Sequence, residues 1–252
     1  MTRVDDIFSN GEKALMPFIV AGSPSLQVTE KAIIAMDKAG AHIIEIGIPF
    51  SDPIADGPVI AAAMHEALVD GVTPAHAIGI VTRIRSKVSA GLIAMVSDSI
   101  VRRSGGSAFI DRLVEAGFDG IIIPDIDDLD AENMSAYCSG CGITFTMLVS
   151  PTTPNERIKW LASISTGFLY ILARVGLTGE QSATPDISKR INEIRKLTDL
   201  PLAVGFGIST REHVISVTKS ADAAIVGSAL VRRMSNSTDP VACAGDFVCE
   251  LS

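Results

Sequence analysis

Short apolar segments alternate along this chain with longer segments of helical periodicity, and this alternation limits the possible folds more than any other feature. Eight of the short segments are almost continuously apolar, as expected for parallel strands that are buried on both faces. The predicted strands are residues 15–20, 42–48, 91–96, 120–124, 144–149, 168–173, 201–206 and 223–228.

The segments between the predicted strands have the spacing of amphipathic helices. Apolar residues at positions 60, 63, 64, 67 and 68 would share one helix face, and residues 110–117 show a similar pattern. Helix starts are indicated at Asp130, at Thr153 and Pro154, and at Ser209 and Thr210.

Eight β–α units predict the fold class. In 252 residues they favour an α/β protein with a single domain over residues 1–252, a closed (β/α)8 TIM barrel. The alternative, a doubly wound open sheet, usually has fewer strands and a glycine-rich turn after the first one. Here the first predicted strand is followed by "VAGSPS", which is not a dinucleotide-binding fingerprint.

The amino-acid composition limits which classes of partner are expected for this protein. Hydrophobic residues make up 47% of the chain and charged residues 20%, which permits a large core. The net charge is −8 and no basic block is present, so nucleic acid is not expected as a partner. Neither a signal peptide nor an apolar run of membrane-spanning length is recognised, so we predict a cytoplasmic protein without membrane contact.

Four cysteines raise the question of a metal or redox site. Cys138 and Cys141 form a C-x-x-C pair, a spacing that such sites use. Cys243 and Cys249 lie far away with unsuitable spacing, so the favoured interpretation is two small residues at the end of a helix. No metal and no cofactor are therefore expected.

Two carboxylates lie within the segment "EIGIPFSDPIADGPVI", which begins at Glu45. Glu45 belongs to a predicted buried strand, where a charge is costly, so its pKa should be raised toward the range that suits proton transfer. Asp56 lies in the following loop, at the end of a barrel where active sites are found. The pair predicts an acid–base site at the barrel mouth. A structural carboxylate at Glu45 and a helix N-cap at Asp56 are the alternatives.

Glycine motifs after the last three predicted strands form a second cluster. They are "GLTG" at residues 176–179, "GFGIST" at 205–210 and "GSALVRRM" at 227–234, which opens a predicted helix. TIM barrels bind phosphate at such loops, because their free N–H groups can approach the oxygen atoms. Three successive motifs predict a phosphorylated substrate, and simple chain turns are the alternative.

The acidic run "DIDDLD", residues 125–130, invites a comparison with cation sites. It lacks the glycine and the distal glutamate of an EF-hand loop, so a solvated acidic loop at the barrel mouth is expected. The histidines have no metal-ligand spacing, and His65 and His76 are expected on the surface.

Seven motifs together resemble one known family. They are "PFIVAGSP", "EIGIPFSDPIADGPVI", "GFDGIIIPD", "SPTTPNERI", "YILARVGLTG", "GFGIST" and "AIVGSAL", and their order and spacing are similar to those of the tryptophan synthase alpha chain. The resemblance covers residues 17–230. Its second motif is highly specific, whereas the glycine motifs occur in many phosphate-binding barrels.

The resemblance implies a TIM-barrel lyase that cleaves indole-3-glycerol phosphate into indole and glyceraldehyde 3-phosphate. Glu45 corresponds to the glutamate that moves protons at indole C3 and at the glycerol hydroxyl, and Asp56 to the aspartate that accepts the indole N–H bond. The other implied site residues are Phe18, Tyr170, Thr178 and Phe206 for substrate binding, and Gly179, Gly207, Gly227 and Ser228 for phosphate binding.

The resemblance also implies a partner, the β chain of an α2β2 heterotetramer, which receives indole for L-tryptophan biosynthesis. The loops at residues 51–58 and after Arg174 would lie at the docking face, and we expect both to be mobile in the free chain. The acidic run would lie at the same face, where it could select a basic patch on the partner.

Seven positions depart from the family pattern, and two of them are Ala173 and Leu177 in "ARVGLTG", where the family has "SRxGVTG". Val20 and Ser23 replace a threonine and an aspartate, Val96 and Asp98 replace an aromatic residue and an amide, and Asp127 replaces a proline. Polar groups around the site therefore differ while the central pair is kept. Two interpretations follow: a working lyase subunit, or a binding module that activates the β chain with little chemistry of its own. A different phosphate-binding aldolase or isomerase is a third, although no lysine at a strand end supports Schiff-base chemistry.

Overall fold

A computed structural model describes residues 2–53, 56–173, 187–205 and 207–252 of the chain. Their backbone forms one sheet in which all strand pairs are parallel. The strands are Ala14–Val20 (β1), Ile43–Gly47 (β2), Gly91–Met95 (β3), Gly120–Ile122 (β4), Thr144–Thr146 (β5), Leu148–Val149 (β6), Leu169–Leu172 (β7), Leu202–Gly205 (β8) and Ala223–Val226 (β9).

The fifth predicted strand, residues 144–149, is divided at Met147. Its first part, β5, pairs with β4, and its second part, β6, pairs with β7. The sheet order is β5-β4-β3-β2-β1-β9-β8-β7-β6, so the chain at Met147 connects the two ends of the sheet. The described strands therefore wrap into a barrel, and the predicted TIM barrel is confirmed with one strand in two parts.

Helices surround the barrel in alternation with the strands. Within the described ranges they are Arg3–Ser9 (α1), Leu26–Lys38 (α2), Pro58–Val69 (α3), Pro74–Ile84 (α4), Asp98–Arg103 (α5), Ser107–Ala116 (α6), Asp128–Cys141 (α7), Asn155–Ile164 (α8), Ser188–Ile194 (α9), Arg211–Thr218 (α10), Ser228–Ser235 (α11) and Pro240–Leu251 (α12), with a short 3₁₀ helix at Arg85–Lys87. The apolar face predicted for α3 is confirmed, because residues 60, 63, 64 and 67 are buried. In α6 residues 110 and 113 are buried as predicted, but Val114, which was placed on the same face, is exposed.

Two of the three predicted helix starts are correct. The Thr210 hydroxyl accepts a hydrogen bond from the N–H of His213 and caps α10, and α8 begins directly after Pro154. The start predicted at Asp130 is wrong. Asp127 is the N-cap of α7, and its carboxylate accepts a hydrogen bond from the N–H of Asp130, which therefore already lies in the first turn.

The hydrophobic core has two layers. One fills the barrel with inward-facing side chains such as Met16 and Ile225, and the other lies between the sheet and the helices. Helix α1 closes the amino end of the barrel: Val4 is buried in the inner layer, and the rings of Phe8 and Phe168 lie 5.7 Å apart. Helix α1 does not reach the carboxyl ends of the strands.

The C-x-x-C pair lies at the end of α7. Burial raises the pKa of the Cys138 thiol to about 12, so this thiol stays protonated, which disfavours redox or metal chemistry. All four cysteines are free, and within the described part of the chain no group of His, Cys, Asp and Glu could hold a metal ion. No helix in the described ranges has the length and apolar character needed to cross a bilayer.

Candidate active site

A cavity of about 290 Å³ opens at the carboxyl ends of the strands. Its wall is mainly apolar and includes Ile60 and Met64 of α3. Six of the ten predicted site residues line it: Phe18, Asp56, Tyr170, Gly207, Gly227 and Ser228. Three further predicted residues, Thr178, Gly179 and Phe206, lie outside the described residues, as do the whole "GLTG" motif and residues 174–186.

Glu45, the tenth, is fully buried in the middle of β2 and does not line the cavity. Its carboxyl group is therefore not exposed at the cavity surface. Neither carboxylate oxygen has a hydrogen-bond partner among the described residues. Burial without compensation raises the pKa of Glu45 to about 8, so the side chain carries a proton at neutral pH.

Asp56 lies on the loop after β2 and lines the cavity. Its N–H donates to the carbonyl oxygen of Pro53, at 3.0 Å. The following helix, α3, starts at Pro58 with Gly57 as its N-cap, so the alternative interpretation of Asp56 as a helix cap is wrong. Burial raises the pKa of Asp56 to about 6, which leaves it mostly ionised at neutral pH.

Tyr170 on β7 is buried and lies within electrostatic reach of both carboxylates. Burial and the negative charges of Glu45 and Asp56 raise the pKa of its phenol well above the ordinary value. Gly205 on the neighbouring strand β8 makes room for this side chain, because a Cβ at that position would overlap the Tyr170 hydroxyl. The sequence indicated Gly205 only as part of a phosphate motif.

The start of α11 supplies backbone N–H groups to the cavity. Gly227 is the N-cap of this helix and Ser228 its first residue, and both line the cavity. The first N–H groups of a helix have no partner within it and attract anions. Gly207 has a φ of 83°, a conformation that favours glycine. None of the described lining residues is Lys, Arg or His, so an anion here would depend on backbone groups.

A polar contact at the ends of β3 and β4 was not predicted. The Ser97 hydroxyl donates to the Asp125 carboxylate at 2.7 Å, and the N–H of Asp98 donates to its other oxygen at 2.8 Å. Ser97 and Asp125 both line the cavity, so the contact fixes two adjacent loops at its rim. The sequence could have indicated this contact through position alone, because Ser97 and Asp125 each directly follow a predicted strand.

Comparison of the sequence with known proteins shows which family this chain belongs to. The family described as tryptophan synthase alpha chain matches residues 5–248. This chain belongs to the tryptophan synthase alpha chain family. Proteins of that name from Prochlorococcus marinus (strain MIT 9313) and Rippkaea orientalis are each 40% identical to it, over 92% and 94% of this chain and 86% and 91% of theirs.

A solved structure from the tryptophan synthase alpha family has the same fold. The mutant α subunit from the hyperthermophile Pyrococcus furiosus superposes with a TM-score of 0.89 at 33% identity. The match covers 95% of this chain and 98% of that one. The barrel and its motifs are therefore those of the family along almost the whole chain.

Two departures from the tryptophan synthase alpha pattern share one arginine. Arg102 on α5 forms ion pairs with Asp98 in the same helix and with Asp127 and Asp130 at the start of α7. The substitutions at 98 and 127 are thus coupled through a common partner. A third departure, Val96, lines the cavity where the family has an aromatic residue.

The acidic run is mostly exposed to solvent, as the sequence predicted, but only its first half is a loop. Its second half lies in α7, and Arg157 pairs with Asp128 while Arg102 pairs with Asp127 and Asp130. Three of its carboxylates are therefore already paired within the chain. This weakens the expectation that the run selects a basic patch on a partner.

Proposed function

We propose that this chain is the α subunit of tryptophan synthase and cleaves indole-3-glycerol phosphate to indole and glyceraldehyde 3-phosphate. Family membership supports the reaction. The observation that carries it is one apolar cavity with a helix N-terminus on its wall and two carboxylates of raised pKa beside it. The substrate has the matching parts: an aromatic ring, a glycerol hydroxyl and a phosphate.

Glu45 is the proposed acid and base. Breaking the bond between indole C3 and the glycerol chain requires a proton at C3, and Glu45 carries one at neutral pH. When the bond breaks, its electron pair returns to the ring. The glycerol hydroxyl becomes an aldehyde and releases its proton to the Glu45 carboxylate, so the residue ends the cycle as it began.

Asp56 is the proposed partner of the ring nitrogen. Protonation at C3 places positive charge on the ring, and an ionised carboxylate beside the N–H stabilises it. Separated pKa values, about 8 for Glu45 and about 6 for Asp56, allow one group to be the acid and the other the anion at the same pH. Activity should therefore be highest between these two values.

Glu45 must reach the substrate for this mechanism. It is covered in the structure, so its side chain has to turn toward the cavity when the substrate binds. Catalytic hydrogen bonds often form only in the substrate complex. The phosphate is proposed to bind the backbone N–H groups near Gly207, Gly227 and Ser228, at the start of α11.

The proposed partner is the β chain, in an α2β2 heterotetramer that passes indole on for tryptophan synthesis in the cytoplasm. The alternative of an α chain that only activates the β chain is not favoured. Glu45 and Asp56 are both present, and both retain the electrostatic environment that proton transfer and charge stabilisation need.

Indole release tests the proposal. The purified chain is incubated with indole-3-glycerol phosphate, with and without a β chain, from acidic to alkaline pH. We expect indole to be released, fastest between the two pKa values and faster with the β chain. Stimulation of serine-dependent tryptophan formation without indole release would instead identify an activator and refute the lyase assignment.

A further inference from the structure

Phe18 and Gly47 meet across neighbouring strands at the floor of the cavity. In the pairing of β1 with β2, Phe18 stands beside Glu45 and Val20 beside Gly47. The Phe18 ring reaches across to β2, because a Cβ built on Gly47 would lie 2.5 Å from its Cζ atom and 2.8 Å from Cε2. The ring therefore occupies the space that a side chain at position 47 would need.

This space lies between Glu45 and the cavity. Residues two apart on a strand face the same side of the sheet, and Gly47 is the one nearer the carboxyl end. Phe18 lines the cavity, whereas Glu45 has no exposed surface. The ring thus borders the cavity, while Glu45, its neighbour across the strand pair, lies deeper in the barrel.

The ring is packed on its other sides. It belongs to a buried cluster with Val20, Ile60, Met64 and Val231. A Cβ built on Gly227 would lie 3.6 Å from the Cβ and Cδ1 atoms of Phe18. The cavity is its open side, so a side chain at residue 47 would displace the ring into the cavity.

We propose that Gly47 determines which ligands the site accepts: without a side chain, it lets Phe18 lie against β2 and keeps the cavity wide enough for an aromatic ring. The inference rests on the proposed function, which identifies that ring as indole. Gly47 acts through Phe18 and does not touch the substrate, so it is a positioning residue. It was not among the predicted site residues.

The test is the substitution Gly47→Ala, alone and combined with Phe18→Leu. A displacement of about 1 Å at an active site costs roughly 10²-fold in rate, so kcat/KM should fall by about that factor, with a raised KM. Indole affinity, measured by calorimetry without turnover, should fall about tenfold. In the Phe18→Leu background, where no ring reaches position 47, the same substitution should change indole affinity by less than about twofold.

Gly140→Ala is the matched control. Gly140 lies on the exposed surface of α7, and a Cβ there would meet no atom within 4 Å. This variant should keep the indole affinity and KM of the parent chain. Unchanged indole affinity in Gly47→Ala, or an equal loss in both Phe18 backgrounds, would overturn the inference.

Folding and function can be separated in the same set of variants. If Gly47→Ala does not fold, a folded double variant with the indole affinity of Phe18→Leu supports the inference, and an unfolded double variant overturns it. A crystal structure of Gly47→Ala shows the ring directly. If the Phe18 ring is displaced in Gly47→Ala but the parent chain never releases indole, only the proposed reaction is refuted. If the ring is not displaced and Gly47→Ala is active, only this inference is refuted.

Discussion

The two ends of the barrel differ in how they accommodate buried carboxylates. At the amino end, Asp119 directly precedes β4 and accepts hydrogen bonds from Arg3, Arg85 and the N–H of Leu92. Both of its oxygens are bonded, which offsets the cost of removing the charge from water. Asp119 therefore links the start of β4 to the neighbouring strand β3 through a hydrogen bond.

Asp222 repeats this arrangement directly before β9. It accepts hydrogen bonds from Lys13, Arg195 and the N–H of Leu202. Burial acts to raise the pKa of Asp222, but the bonds from Leu202 and Arg195 and the charge of Lys13 outweigh it and leave the pKa below its ordinary value. The charged form is thus the stable one.

Farther toward the carboxyl end, in the middle of β2, Glu45 is buried without a hydrogen-bond partner in the described part of the chain, and its pKa rises to about 8. The comparison teaches that donors, more than depth, decide the role of a buried carboxylate. Surrounded by donors it stabilises the fold, and without them it holds a proton that it can transfer.

The largest expected effect comes from replacing Glu45. Glu45→Gln keeps the shape of the side chain but removes the transferable proton, so indole release should fall by roughly 10²–10⁴-fold. Indole affinity, and thermal unfolding measured below pH 4.5, where Glu45 is protonated in the folded and the unfolded chain, should stay near those of the parent chain. Indole release at the parent rate would end the assignment of Glu45 as the acid and base.

Replacing Asp119 should lower the stability of the fold and leave the activity unchanged. Asp119→Ala leaves Arg85, whose side chain is only 13% exposed, without its carboxylate partner. The free energy of unfolding should fall by about 3–5 kcal/mol in denaturant titrations, while kcat/KM of the folded enzyme is unchanged. Asp246→Ala on the exposed face of α12 is the control, with an expected change within about 0.5 kcal/mol. A rate loss without a stability loss in Asp119→Ala would remove the contrast between the two ends.

The pH dependence of stability gives a smaller effect that is specific to Glu45. Its pKa is about 8 in the folded chain and 4.5 ordinarily, so between these values the folded state holds a proton that the unfolded state has released. The stabilisation is complete below pH 4.5 and is lost as the pH rises through 8. Relative to Glu45→Gln, the parent chain should lose on the order of 3 kcal/mol between pH 4.5 and 7. Parallel stability curves for the two proteins would show that Glu45 titrates normally.

The sequence predicted features that depend on neighbouring residues. The strands, the cap at Thr210 and the start of a helix at Ser228 follow from local pattern and capping chemistry, and the structure agrees with them. The start of α7 was misplaced because several aspartates in one run can cap, and only the folded backbone selects Asp127.

Features that depend on how strands pair were not predictable. The division at Met147, the Phe18 ring over Gly47 and the cover over Glu45 all require knowledge of register between distant segments. Of the six cavity residues, Phe18 and Tyr170 were found only through the resemblance to a family, which already contains that register. Asp56 and the glycine motifs were also indicated by their positions after predicted strands. The contact between Ser97 and Asp125 lies outside the quoted motifs in part and was missed.

Beyond Met147 the chain leaves β4 and follows β7, so that Leu148 pairs with Tyr170. Strand β4 has ended at Ile122, and Pro124 continues along the rim. The hydrogen-bond ladder between β4 and the fifth strand ends there, and Leu148, Tyr170 and Pro124 all border the cavity. The cavity therefore borders the point where the fifth strand changes partner. A fifth strand that paired with both neighbours along its whole length would continue the ladder past Ile122 and Thr146.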